Sequence, residues 1–215
     1  MKLIVLGLNH RSAPVNVREV FSFDKTEISE AINHVYEHEQ VAECVLLSTC
    51  NRTELYAVLE DVENPKQFML HLLQHLKGVE DMEIEDDWFF MYEGHDLLAH
   101  LFNVASSLDS LVLGEGQILS QLKMAYISAY SRGLTGPIFN IIFQRAISVG
   151  KKVRTVTGIA NTPVSVSYAA VNLAEDCLTK PMSEAKVLVL GAGEMSELTA
   201  THLPVYYTHL RAHET

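Results

Sequence analysis

A cysteine that closes an apolar run, with an arginine two residues on, is an arrangement that could take up an acyl group. Cys50 stands in Ser48-Thr49-Cys50-Asn51-Arg52-Thr53-Glu54, among hydrogen-bonding side chains, where a thiol can reach solvent. The thiolate is the nucleophilic form, and the neighbouring Arg52 is expected to favour it. Arg52 also carries a planar guanidinium that matches a substrate carboxylate in a two-pronged pair; a surface salt bridge to Glu54 would use the same group. Cys44 and Cys177 lie within apolar stretches and are expected to be small buried residues. His100, among Leu97, Leu98, Leu101 and Phe102, is a core or boundary histidine unless thiol and substrate lie near enough for proton transfer.

Residues 106–121 (SSLDSLVLGEGQILSQ) set Asp109, Ser110, Glu115, Gln117 and Gln121 on an apolar scaffold with two glycines. Such a break lets backbone approach a ligand and polar groups converge; a capped helix connector would read the same way. His34 with His38 and His71 with His75 have the i, i+4 spacing of metal ligands. Neither pair has a nearby cysteine or a third ligand, so they are read as exposed histidines and no metal is assigned. From Lys123 to Arg154 run six basic residues and no acidic one, a stripe for phosphates or a solvated helix face. Near the end, KVLVL leads into Gly191-Ala192-Gly193-Glu194-Met195-Ser196, two of the three glycines of a dinucleotide turn with Ser196 at the third place.

These residues need elements to hold them. The apolar run 2–8 reads as a buried strand, and 41–49 with 55–58 as two strands or one strand bent at Cys50. Asp24 with Glu27 forms a capping box for a helix over 24–38, and Asn64-Pro65-Lys66-Gln67 starts another to about Leu76. Further helices are expected over 96–104, 117–132, 137–155, 165–178 and 194–203, with a strand over 186–190. The N-terminal portion thus mixes strands and helices, the middle is nearly all helix, and a new unit opens at Lys186.

The chain's 215 residues are 48% hydrophobic and 20% charged, the balance of a globular protein with a core. Its formal net charge of -11 argues against nonspecific nucleic-acid binding, in which basic residues neutralise phosphates. That charge is uneven: residues 1–99 carry 7 basic and 19 acidic residues, residues 100–215 carry 9 and 8. Three cysteines and no secretory leader predict a reduced, cytoplasmic protein, and no apolar run approaches the ~20 residues that cross a bilayer.

Four separated segments together resemble the glutamyl-tRNA reductases in order and spacing, over about residues 3–203. They are GLNHRSAPVNVRE, LLSTCNRTELY around Cys50, HLFNVASSLDSLVLGEGQILSQLK from His100, and VLVLGAGEM from Val187. The resemblance implies an α/β chain: an α+β catalytic domain, a long helical spine and the beginning of a Rossmann-type NADPH domain. It implies Cys50 as the nucleophile toward the glutamyl ester and His100 as a histidine needed for activity. Thr49, Asn51, Arg52, Ser110, Glu115, Gly116, Gln117 and Gln121 would line the glutamyl pocket, and Gly191, Ala192, Gly193, Glu194, Met195 and Ser196 would bind NADPH. The expected product is glutamate 1-semialdehyde, the first step of tetrapyrrole (porphyrin) biosynthesis from glutamate. Expected partners are glutamyl-tRNA, a second subunit in the full-length homodimer, and the next pathway enzyme, an aminomutase.

The expected division is 1–155 catalytic domain and start of the spine, 156–185 helical connector, 186–203 first strand, glycine turn and helix of a truncated NADP-binding domain, and 204–215 a non-native tail. That tail resembles the translation of a transposon-type sequencing adapter, with Tyr206 where serine is expected. A chain so truncated is expected to be monomeric and to lack full reductase activity. The competing readings are a noncatalytic tRNA-binding fragment and a cysteine-dependent aminoacyl-ester hydrolase.

Overall fold

The computed structural model describes residues 1–159, 166–191 and 193–203. The chain divides into two compact units, Met1–Ile159 and Ala160–Thr215. In the first, β1 (Lys2–Asn9), α1 (Val15–Val20), α2 (Lys25–Tyr36), β2 (Val41–Thr49), β3 (Arg52–Leu59), α3 (Pro65–Lys77) and β4 (Phe90–Glu93) are followed by α4 (His95–Ala105), α5 (Gln117–Ser131) and α6 (Pro137–Thr157). The strands form one antiparallel sheet in the order β2-β3-β1-β4. Strands β1 and β3 run through its middle, which is why the first is an unbroken apolar run and every residue of the second is buried.

Helix α2 packs on β2, α3 on β1, and α5 and α6 on β2, with α4 against α6. The helices start where the sequence predicts: the Asp24 side chain accepts from the Thr26 and Glu27 amides, and Glu27 reaches back to the Asp24 amide. Asn64 caps α3 ahead of Pro65. Two elements were not foreseen, the short helix α1 and the edge strand β4; the second owes its form to pairing with β1 and has no periodic signature of its own.

The long helix α6 is fixed to the sheet in two ways. Its Phe143 lies 5.3 Å from Tyr56 of β3, 5.3 Å from Phe139 and 5.7 Å from Tyr126 of α5, a buried aromatic cluster whose members each contribute about 1.5–3 kcal/mol by burial. At its N-terminus the buried Glu43 carboxylate of β2 accepts from the Ile138 and Phe139 amides at 3.0 and 2.7 Å, so an anion meets the positive end of the helix. Position 136 must be glycine for this contact, since a Cβ there would lie 2.7 Å from Glu43 Oε1.

In the second unit the described residues form α7 (Val166–Cys177), a 3-10 turn over Met182–Glu184 and α8 (Glu194–His202). Val171, Met182 and Ala185 bury a small cluster joined by Leu203. The strand expected over 186–190 is not formed among the described residues: the segment pairs with none of them, and Leu188 and Leu190 are 80% and 84% exposed. A strand is stabilised by its ladder, and apolar residues alone do not make one where no partner strand lies beside them. Of the expected start of a dinucleotide fold, the described residues include α8 with Gly193 at its N-cap. Residues 204–215, read as a non-native tail, lie outside the described residues.

Candidate active site

Strands β2 and β3 form a hairpin in which Thr49 faces Arg52, leaving Cys50 and Asn51 as a two-residue turn. Thr49 Oγ1 holds it, accepting from the Asn51 amide at 3.2 Å and the Arg52 amide at 3.1 Å. Cys50 is exposed at this tip, whereas Cys44 is buried inside β2, where burial pushes its thiol up to about 12. Cys177 is exposed at the end of α7 and is not the buried residue expected, because the apolar stretch around it leaves that end of the helix uncovered.

Arg18, on α1, donates to the Cys50 carbonyl at 3.0 Å and to Asn51 Oδ1 at 3.4 Å. Burial and then the Glu115 charge push the Cys50 thiol above its ordinary range, and Arg18 opposes them. The expected role of Arg52 in favouring the thiolate is therefore corrected: the cation acting on the thiol is Arg18. The reason is strand alternation, which carries Arg52 into the protein interior together with Glu54 and Tyr56 on one face of β3.

There the side chains form a closed network. Glu54 Oε1 accepts from Arg52 at 2.6 Å and from His100 Nε2 at 3.0 Å, while Oε2 accepts from the Tyr56 hydroxyl at 2.5 Å. Burial alone would push Glu54 up, but Arg52 and the bonds from His100 and Tyr56 more than reverse it and hold the carboxyl at about 2. His100 is buried with its ring 5.1 Å from Phe90 and 5.0 Å from Tyr92. It meets Glu54 and does not line the cleft beside Cys50.

The other side of Arg52 is covered by Asp109. Its Oδ2 accepts from both terminal nitrogens of Arg52 at 3.1 Å, its backbone carbonyl accepts from the second of them, and its Oδ1 pairs with the exposed Arg11 at 3.0 Å. His10 lies among these charges with Nδ1 buried and unpartnered, its ring held below the ordinary range by burial, Arg52 and Arg11. Arg18 and Tyr56 are participants that sequence reading did not name; the Arg52–Glu54 pair expected as a surface salt bridge is instead buried, and the i, i+2, i+4 register of Arg52, Glu54 and Tyr56 was the signal for it.

A cleft opens beside Cys50, lined by Thr49, Asn51, Arg52, Ser110, Glu115, Gln117 and Gln121, all expected there, and by Leu111 and Ile118. Gly116 is not in the lining; it sits at the N-cap of α5 against Arg154. In the second unit Gly191 adopts a left-handed φ of 111°, Gly193 caps α8 and accepts from the Ser196 amide at 2.9 Å, and Ala192 lies outside the described residues, as do the side chains of Glu194 and Met195. Of the two histidine pairs, His34 meets Glu37 at 3.4 Å and His75 meets Glu80 at 2.8 Å. No helix among the described residues is long and apolar enough to cross a membrane.

The family model for the N-terminal domain of glutamyl-tRNA(Glu) reductase matches residues 6–157. A glutamyl-tRNA reductase of Carboxydothermus hydrogenoformans is 44% identical over 206 residues, 96% of this chain and 45% of that protein. One of Pseudoalteromonas translucida is 45% identical over 203 residues, 94% of this chain and 48% of that protein. The solved structure of glutamyl-tRNA reductase from Methanopyrus kandleri matches with a TM-score of 0.64 at 35% identity, covering 95% of this chain and 47% of that one. The chain thus spans about half the length of the relatives it matches.

Proposed function

The chain belongs to the glutamyl-tRNA reductase family, and from that premise we propose that Cys50 accepts the glutamyl group of glutamyl-tRNA as a thioester. The observation that carries this is the placement of Cys50 at a hairpin tip, in a cleft whose polar lining comes from β2, β3 and the 110–121 segment. Cys50 Sγ attacks the ester carbonyl, the C–S bond forms, the C–O bond to the tRNA ribose breaks, and the thiol proton ends on the departing oxygen. Arg18 holds the turn that presents the thiol and offsets the Glu115 charge.

Arg52 reads the glutamyl carboxylate. Among the described residues it is the one cation lining the cleft, and Glu54 fixes its guanidinium from behind. His100, bonded to Glu54 and not facing the cleft, is a positioning residue in this reading. Exposed Lys123, Arg132, Arg145, Lys151 and Lys152 on α5, its C-cap and α6 offer phosphate contacts for the tRNA.

The overall reaction proposed is reduction of glutamyl-tRNA to glutamate 1-semialdehyde, with NADPH as reductant, in the cytoplasm and at the entrance to tetrapyrrole synthesis. A homodimer and an aminomutase as the next enzyme belong to the same reading. A dinucleotide lies in a crevice between successive strands, and the described residues of 186–203 form no such crevice.

The test is acid-quench trapping of labelled glutamate on the purified chain. Cys50→Ser should abolish the thioester, while Cys44→Ser and Cys177→Ser should retain it. Label that persists on Cys50→Ser removes Cys50 from the reaction.

A further inference from the structure

The cleft beside Cys50 is walled by Thr49, Asn51 and Arg52 on one side and by Ser110, Leu111 and Glu115 on the other. That second wall is the segment between α4 and α5. Its neck is tied: the Gly114 amide donates to the Ser107 carbonyl at 3.2 Å, Ser107 Oγ donates to the Glu115 carbonyl at 2.7 Å, and Arg154 donates to that same carbonyl at 2.9 Å. Both neck residues are left-handed, Ser107 at φ 61° and Gly114 at φ 83°. Between them Leu108, Leu111 and Leu113 are 44%, 53% and 58% exposed, so apolar burial does little to hold the segment down. Among the described residues it is tied to the sheet by Asp109 on Arg52.

We infer that Asp109 is a specificity-determining latch: its carboxylate occupies the Arg52 fork in the closed form, and only an incoming carboxylate replaces it. This rests on the reading of Arg52 as the carboxylate receptor. Arg52 already meets two buried or half-buried carboxylates, Glu54 and Asp109. Adding a third anion beside one cation in that interior is unfavourable, so the substrate must exchange with one of them. Glu54 is locked by His100 and Tyr56. Asp109 is free to leave, because Arg11, with its side chain 61% exposed, remains paired with Oδ1 as it goes. Exchange of one carboxylate for another keeps the charge on Arg52 balanced. A neutral amide in its place would not return to Arg52 the charge-assisted bonds that Asp109 gives it, so the latch stays shut against a glutaminyl group.

The experiment measures protection of Cys50 from iodoacetamide in the 215-residue chain, by mass spectrometry, with glutarate as a carboxylate probe and glutaramide as its neutral counterpart. Asp109→Asn is isosteric and keeps a weaker hydrogen bond; far-ultraviolet circular dichroism verifies that it folds. The concentration of glutarate giving half protection should fall about tenfold in Asp109→Asn, the closed population no longer opposing entry. Glutaramide should protect Asp109→Asn and not the wild type, and Asp109→Glu should restore exclusion of glutaramide. Equal or weaker glutarate protection in Asp109→Asn, with protection lost in Arg52→Lys, overturns the latch and leaves Arg52 as receptor. Protection unchanged in Arg52→Lys overturns the receptor reading itself, and the latch with it.

Discussion

Replacing Glu54 by glutamine should destabilise the first unit by about 3 kcal/mol near neutral pH. Two routes give that size. The carboxyl is held at about 2 against an ordinary 4.5, a displacement worth about 3 kcal/mol of preference for the charged form in the folded state. Independently, removing one partner of a buried ion pair costs about 3–5 kcal/mol; here Arg52 keeps Asp109, which places the loss at the lower end. Glutamine is nearly isosteric, so no cavity is added. For a unit of this size, about 2–4 °C per kcal/mol predicts a fall of about 6–12 °C in Tm. Trp88, the only tryptophan, lies in the first unit and packs against its core, so its fluorescence reports that unit's melting alone. Because the folded-state value is depressed, the stabilisation is complete above 4.5 and disappears as pH falls through about 2. The Tm gap between wild type and Glu54→Gln should therefore close over that window. A gap that is absent near neutrality, or that persists unchanged into acid, refutes the claim that the ionised carboxylate holds this network.

Glu115→Gln removes a charge that raises the Cys50 thiol, so the inflection of Cys50 alkylation with pH should move down and the neutral-pH rate should rise severalfold; Arg18→Gln should move the inflection up. Inflections that stay together would show that neither charge faces the thiol. Lys151→Gln with Lys152→Gln should weaken binding of uncharged tRNA and reduce the dependence of log affinity on log salt by about 1 for each phosphate no longer neutralised. An unchanged slope in filter binding would take α6 off the tRNA surface.

Most elements were legible because their signals are local. The Asp24 capping box, Asn64 before Pro65, and Gly136 before Pro137 are chemical statements about helix starts, and each start lies where they put it. Strand β4 was hidden because four residues at a sheet edge owe their form to β1. The segment 186–190 differs in the opposite sense: it has a strand's composition and no ladder among the described residues. In the candidate site, the cleft is lined by seven of the residues that the resemblance names and by Leu111 and Ile118, which it does not name, while Gly116 lies outside the lining. The direction of Arg52 was missed because its nearest cysteine in sequence is not its neighbour in charge; alternation along β3 gives it to Glu54. Asp109, 57 residues away, meets it only through the tertiary fold.

Helix α6 is clamped at both ends by buried or half-buried polar contacts, Glu43 at its first amides and Arg154 in its last turn. With 21 residues it spans about 30 Å, and it works mechanically as a strut between the sheet and the rim of the cleft. At its C-terminal end Arg154 donates to Ser107 Oγ at 3.3 Å and to the Glu115 carbonyl at 2.9 Å, so the last turn of the strut holds the two points at which the latch segment is hinged.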